Sequence, residues 1–267
     1  MLLAIDIGNT NITLGVWHHA TSTAPGNWQQ HWRLQTNPTR TADEYGLLLK
    51  GLLRDANLAP INGVIITSVV PTLTQTLTEV SQHYLGCHPL IVTSSLDLGL
   101  RILVDVPEAV GVDRLVNCVA AYHLFPGPSI IIDMGTATKL DVVSARQEFL
   151  GGVIAPGLGL AADALASRAA KLSHVALEAP PAAIGRNTVH AMQSGLILGY
   201  VSLIEGMVAR LRAEHPDREQ RIHVLGTGGL ISLIVPHTAV IDHIDPWLTL
   251  TGLRLIYERV TAAKTPG

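Results

Sequence analysis

Two stretches of this chain share one plan, and that repetition limits what it can fold into. MLLAIDIGNTNITLGVW (1–17) is an apolar run, an acid at Asp6, a turn of Gly8, Asn9 and Thr10, and a second run rich in β-branched residues. SIIIDMGTATKLDVVS (129–144) repeats it with Asp133, Gly135, Thr136 and a second β-branched run. Each reads as a β-hairpin with a tight turn. An internal repeat of this length predicts two halves of like structure.

The turns carry the candidate chemistry. Gly8 lets backbone approach a ligand closely, Asn9 and Thr10 add short polar groups, and successive N–H groups can converge on an oxyanion. A carboxylate beside such a cradle suits a metal-bridged phosphate. Taken alone, Asp6 to Asn11 is read equally well as ordinary hairpin punctuation. The echo at Asp133 to Thr138 favours the cradle. If the two turns face each other across a cleft, Asp6 and Asp133 bring like charges together, which a divalent ion carried in with a nucleotide would relieve. A third glycine turn, Gly226 to Gly229, follows another apolar strand and would let an adenosine lie against backbone. None of the three matches GxxxxGK[ST] or GxGxxG.

Between the hairpins, strand and helix patterns alternate as they do around a buried sheet. Thr41 to Leu53 is an amphipathic helix with Thr41 as N-cap and Asp43 and Glu44 in its first turn. INGVIITSVV is a strand ending at Pro71, LTQTLTEVSQHYL a helix and PLIVTS a strand. GVDRLVNCVAAYHLF is a helix with Asp113 and Arg114 at its start. A carboxylate that takes a proton from a substrate hydroxyl, beside a guanidinium that holds an anionic group, suits phosphoryl transfer; a helix-dipole role alone would also explain Asp113. Further on, FLGGVIAPGLGLAADALASRAAKL (149–172) reads as a strand, a turn and an Ala-rich helix. APPAAIGRNT leads into the helix HAMQSGLILGYVSLIEGMVARL, and RIHVLGTGGLISLIV is a strand and glycine turn feeding a helix. WLTLTGLRLIYERV closes the chain as a helix. The polar stretch HHATSTAPGNWQQ (18–30) is a loop, with HWRLQT a third strand behind it.

At 267 residues with 48% hydrophobic content, the chain can bury a substantial core in one or two domains. The repeat suggests a boundary between 110 and 118, giving 1–114 with the first phosphate loop and 115–267 with the second and the adenosine turn. A net charge of −3 gives no reason to expect nucleic acid. No signal peptide and no membrane span are expected, since MLLAID lacks a basic lead and longer apolar windows are interrupted. The two cysteines, Cys87 and Cys118, have no metal-ligand spacing and suit buried thiols in the cytoplasm. His18, His19 and His31 read as surface groups, and Asp242 and Asp245 as turn formers before Pro246.

DIGNTN (6–11), WRLQT with RTADEYG (32–46), TSVVP (67–71), GVDRLVN (111–117), DMGTAT (133–138), GGVIAPGL (151–158), IGRNTVHAMQSG (184–195) and TGG (227–229), in that order, resemble the type III pantothenate kinases within the acetate kinase, sugar kinase and actin superfamily. The resemblance implies an α/β fold of two duplicated ribonuclease H-like domains, an actin-like ATPase fold with an interdomain nucleotide cleft. It implies ATP-dependent phosphorylation of pantothenate to 4′-phosphopantothenate, the first step of coenzyme A biosynthesis. By that resemblance Asp113 is the proton acceptor. Asp6, Ile7, Gly8, Asn9, Thr10, Asn11, Ile12 and Thr13 form the first phosphate loop, with Asp6 near magnesium, and Thr136 contacts ATP. Asp133 holds a monovalent cation, potassium or ammonium. Gly111, Val112, Asp113 and Arg114 bind pantothenate. Thr188 reaches the substrate of a neighbouring subunit, so a homodimer is implied.

Three positions depart from the family pattern. Val104 stands where many members carry Tyr against the substrate, and Arg186 replaces a common Lys. Lys139 takes the place of the last Thr of DxGTATT, where it either points outward, helps hold phosphate or occupies part of the cation site. Two other readings are a catalytically weak nucleotide-binding relative acting as an accessory regulator, and a kinase for another small hydroxyl-bearing acid.

Overall fold

The computed structural model describes residues 1–20, 25–168 and 174–263. Its elements in chain order are β1 (Leu2–Ile7), β2 (Asn11–His18), β3 (Asn27–Gln35), α1 (Ala42–Asp55), β4 (Gly63–Ser68), α2 (Pro71–Leu85), β5 (Leu90–Ile91), β6 (Arg101–Ile102), α3 (Val112–Leu124), β7 (Ser129–Met134), β8 (Ala137–Val143), β9 (Glu148–Pro156), α4 (Leu158–Arg168), α5 (Thr188–Gln193), α6 (Gly199–Glu214), β10 (His223–Thr227), β11 (His243–Ile244) and α7 (Leu248–Ala262). The first sheet runs β3-β2-β1-β4-β5 and the second β11-β10-β7-β8-β9-β6. In the first, β1 pairs antiparallel to β2 and parallel to β4; in the second, β7 pairs antiparallel to β8 and parallel to β10. The second sheet thus repeats the first in order and sense, with β6 added at its edge beside β9. The duplication expected from the two hairpins is present.

Local chemistry accounts for the elements. Strands β1 and β7 are continuous apolar runs because they lie in mid-sheet and are buried almost throughout. Helix α1 starts at a capping box: Glu44 N–H donates to Thr41 Oγ1 at 3.3 Å, and Thr41 N–H donates to Glu44 Oε2 at 2.7 Å. Pro71 opens α2 at a position that has no helical acceptor for its missing N–H, and Gly86 ends it at φ +67°. One core packs Leu3, Ile5, Ile7, Ile12 and Leu14 against Tyr45, Leu49, Leu73 and Leu77 of the helices. The other packs Ile130, Ile132 and Leu140 against Leu196, Ile197, Tyr200, Ile204 and Val208.

The contacts divide the chain into two compact units. One holds Met1–Leu100, Val106–Ala120 and the chain from Thr249 onward; the other holds Arg101–Asp105 and Ala121–Leu248. This differs from a single cut after residue 114, because α3 continues past that point and α7 packs with the first unit. Leu250, Leu253 and Ile256 are fully buried, and a Cβ on Gly15 would lie 2.7 Å from Leu250 Cδ1. The Arg254 guanidinium stacks 4.6 Å from the centre of the Trp17 ring.

Other expectations are corrected. The segment after the third glycine turn forms only short 3₁₀ turns, Ile231–Leu233 and Val235–His237, with Pro236 inside the second. PLIVTS contributes a two-residue strand, and β3 begins at Asn27, within the expected loop. His18, His19 and His31 are half-buried rather than solvated. Loop residues 21–24, and the expected Ala-rich helix beyond Arg168, lie outside the described residues in part or whole. Thr188–Glu214 winds without a break through a π-helical turn at Ser194–Leu198. By length and composition this helix could cross a membrane, but its inner face belongs to the second core.

Leu253→Ala should cost about 2–5 kcal/mol of unfolding free energy in urea titration if α7 is packed as an integral part of the first unit. A cost under about 1 kcal/mol would show that the helix merely rests there.

Candidate active site

The first turn is anchored from three sides. Asp6, half-buried near the end of β1, stands in register with Thr13 on β2 and Thr67 on β4. Gly8 N–H donates to the Asn11 carbonyl at 3.0 Å, and a Cβ on Gly8 would press on that same oxygen. Thr36 takes both turn carbonyls: its hydroxyl donates to Gly8 O at 2.6 Å and its N–H to Thr10 O at 3.0 Å. Val69 N–H donates to Ile7 O at 3.0 Å. WRLQT and TSVVP therefore buttress the turn. Ile7 and Ile12 are wholly buried in the core, whereas Asn9 and Thr10 are exposed and Asn11 and Thr13 half-buried. The two isoleucines hold the loop and can offer a ligand only backbone.

The second turn has a tighter backing. Gly135 N–H donates to Ala137 O and Gly157 N–H to Thr136 O, both at 3.1 Å. A Cβ on Gly157 would collide with the Thr136 carbonyl oxygen. Gly228, at φ +94°, lies so close to Met134 that a Cβ there would sit 2.6 Å from its backbone atoms. Leu230 N–H donates to Met134 O at 3.2 Å. The glycines of GGVIAPGL and TGG thus let other segments close onto the end of β7. Thr136 is exposed at the tip.

Asp133 sits directly opposite Lys139 across the β7–β8 ladder, and beside Thr227 of β10. Lys139 Nζ lies 2.8 Å from Asp133 Oδ2, with side-chain exposures of 14% and 16%. The lysine therefore does not point outward. Directly opposed residues of a ladder share a face, which is why this pair meets.

Asp113 is the second residue of α3, in the first turn, where the helix dipole favours an anion. A Cβ on Gly111 would lie 2.7 Å from Asp113 Oδ1, so a larger residue there would make the carboxylate turn aside. Arg114 N–H donates to Gly111 O at 3.0 Å. Val112, Asp113 and Arg114 are half-buried. Asn117, one turn further on, is buried, and its Oδ1 accepts from Thr249 Oγ1 at 2.8 Å, tying α3 to α7. Sequence reading assigned Asn117 no part; its place one turn after Asp113 was the signal.

Val104 lies in the second unit, where Leu103 N–H donates to Phe149 O at 2.9 Å and a Cβ on Gly151 would be 3.7 Å from Val104 Cγ1. Arg101 Nη1 reaches Glu148 Oε1 at 3.0 Å. The Ser144 hydroxyl, donating at 2.8 Å, and the nearby Arg146 and Arg101 hold the Glu148 carboxyl below its ordinary range. Thr188 is the exposed first residue of α5, capped by Asn187 Oδ1, which accepts from His190 N–H at 2.8 Å. Asp245 forms a turn, its Oδ1 accepting from Trp247 N–H at 2.8 Å, whereas Asp242 reaches back to β10, its Oδ2 accepting from Val224 N–H at 2.8 Å. Among the described residues no group of three His, Cys, Asp or Glu side chains could hold a metal ion.

Two sheets of matching order, each with an Asp-x-Gly segment leaving its central strand, define a duplicated ribonuclease H-like fold, the actin-like ATPase fold. The activator of the 2-hydroxyisocaproyl-CoA dehydratase from Clostridium difficile, solved with bound ADPNP, shares the fold at a TM-score of 0.54 and 12% identity, over 100% of this chain and 98% of that one. The chain belongs to the type III pantothenate kinase family, whose pattern matches residues 2–210. A type III pantothenate kinase of Moorella thermoacetica is 48% identical over 263 residues, 98% of this chain and 100% of its own length. That of Exiguobacterium sibiricum is 45% identical over 261 residues, 97% and 99% of the two chains.

Gly228→Ala should destabilise the second unit by about 1–3 kcal/mol, because a left-handed φ and a backbone clash are both imposed. Faster amide exchange at Gly135 and Leu230 checks it; unchanged exchange would mean that the turn does not depend on this glycine.

Proposed function

We propose that the chain transfers the γ-phosphoryl group of ATP to the hydroxyl of pantothenate, giving 4′-phosphopantothenate and ADP and opening coenzyme A biosynthesis. Family membership at 48% identity over nearly the whole chain is the observation that carries this reading. The residue roles follow from the chemistry of each group. The Asp113 carboxylate accepts the hydroxyl proton as the oxygen attacks, while Arg114 holds the substrate carboxylate. Transfer of this kind needs positioning and charge neutralisation more than covalent help. Backbone of Asp6 to Thr13, with the Asn9 and Thr10 side chains, holds phosphate, and the Thr136 hydroxyl contacts ATP. Asp6 is the residue that would hold magnesium; when bound with the nucleotide, that ion neutralises the phosphate oxygens. Gly111 and Val112 line the substrate loop, and Val104 offers an apolar contact in place of a Tyr.

The reading includes a homodimer in the cytoplasm, with Thr188 serving the partner's substrate. Exposed apolar side chains in the second unit support it: Ile184 is 84% exposed, Ile154 63% and Leu160 55%.

Purified protein given ATP, magnesium and pantothenate should release ADP, and Asp113→Asn should cut kcat by roughly 10²–10⁴-fold. Absence of pantothenate-dependent ADP release would overturn the reading, and turnover only with another hydroxy acid would transfer it to that substrate. In sedimentation, the parent chain should run as a dimer and Ile154→Glu with Leu160→Glu as a monomer. A monomeric parent would remove the shared site.

A further inference from the structure

The family resemblance puts a potassium or ammonium ion at Asp133, and this chain's residues do not fit that ion. The Asp133 carboxylate already has a full positive charge in contact, the Lys139 ammonium at 2.8 Å. We propose that Lys139 is the built-in cation of the second turn, so that turnover requires no added monovalent ion. The inference rests on the kinase reading above and concerns the same turn.

Register, burial and chemistry carry it together. Lys139 is held directly across the β7–β8 ladder from Asp133, with Asp133↔Lys139 and Met134↔Thr138 flanking the tip. Hairpin geometry therefore delivers its ammonium to the carboxylate each time the chain folds. Both side chains are about six-sevenths covered, so the pair is shielded from salt far better than a surface pair. The corresponding register in the first sheet sets Asp6 opposite Thr13, a neutral residue. A primary ammonium is an alkylated form of one of the two ions expected there, with the same unit charge and three N–H donors. A second monocation at Asp133 would meet the Lys139 ammonium as a like charge at close range. Lys139 lies three residues past Thr136, on the strand that rises from the turn.

The test compares ADP release in chloride salts of potassium, ammonium, sodium and choline at equal ionic strength, with magnesium and ATP present throughout. The parent chain should keep its rate within about twofold in all four salts. Lys139→Thr should fall by about tenfold or more in choline and recover in potassium or ammonium. A parent rate that rises about tenfold from choline to potassium overturns the inference, as does a Lys139→Thr chain that keeps its full rate in choline. Turnover absent in every salt overturns the kinase reading instead. Thermal unfolding gives a second readout independent of turnover. Potassium in place of choline should leave the parent Tm unmoved and raise that of Lys139→Thr, or of Lys139→Gln if the threonine variant fails to fold. A potassium-dependent rise in the parent Tm overturns the inference whatever the rates show.

Discussion

Strands β1 and β7 are sealed along both faces, so a polar side chain can stand on them only near their ends. Each places its carboxylate there, one residue before the strand stops, and the hairpin turn follows at once. The buried run cannot slide by one residue without driving the acid into the core, so it fixes where the acid and turn emerge. The remaining parts of each turn are built onto that fixed end. Thr36 and Val69 tie down one; Gly157, Gly228 and Leu230 close onto the other. Rigid placement of a loop by a buried scaffold is what phosphoryl transfer asks of a protein.

Features set by neighbours in sequence were legible. The N-cap at Thr41 and both Asp-x-Gly hairpins depend on a few adjacent residues, and all are present, whereas Pro71, read as a strand end, opens α2. The Asp133–Lys139 contact was legible in principle. Counting outward from the tip of the hairpin pairs the two, but reading Lys139 by its exposure-loving chemistry gave no reason to count. The short 3₁₀ turns after Gly229 were misread as helix because ISLIV is apolar at helical spacing, and Pro236 within the run was given no weight.

What depends on distant chain was not legible. Nothing local in WLTLTGLRLIYERV says which sheet it covers. Only the small residues Gly15 and Gly63, some 190 positions or more earlier, make room for Leu250 and Tyr257. Likewise Asn117 looks like an ordinary polar residue on an apolar helix until Thr249 supplies its partner. The roles within the first phosphate loop were also blurred by sequence, since Ile7 and Ile12 belong to the core while their neighbours do not.

The return of α7 to the first unit has a consequence for the newborn chain. Strand β1 leaves the ribosome long before α7, so its unit lacks its last helix until residue 262 has been made. At ~5–20 residues per second that interval is roughly ten to fifty seconds. Throughout it, the grooves at Gly15 and Gly63 stand open to whatever apolar segment is near. The second unit, continuous from Ala121 to Leu248 apart from one short strand, waits a little over half as long. The unit that holds β1 is therefore the one that waits longest for its last helix.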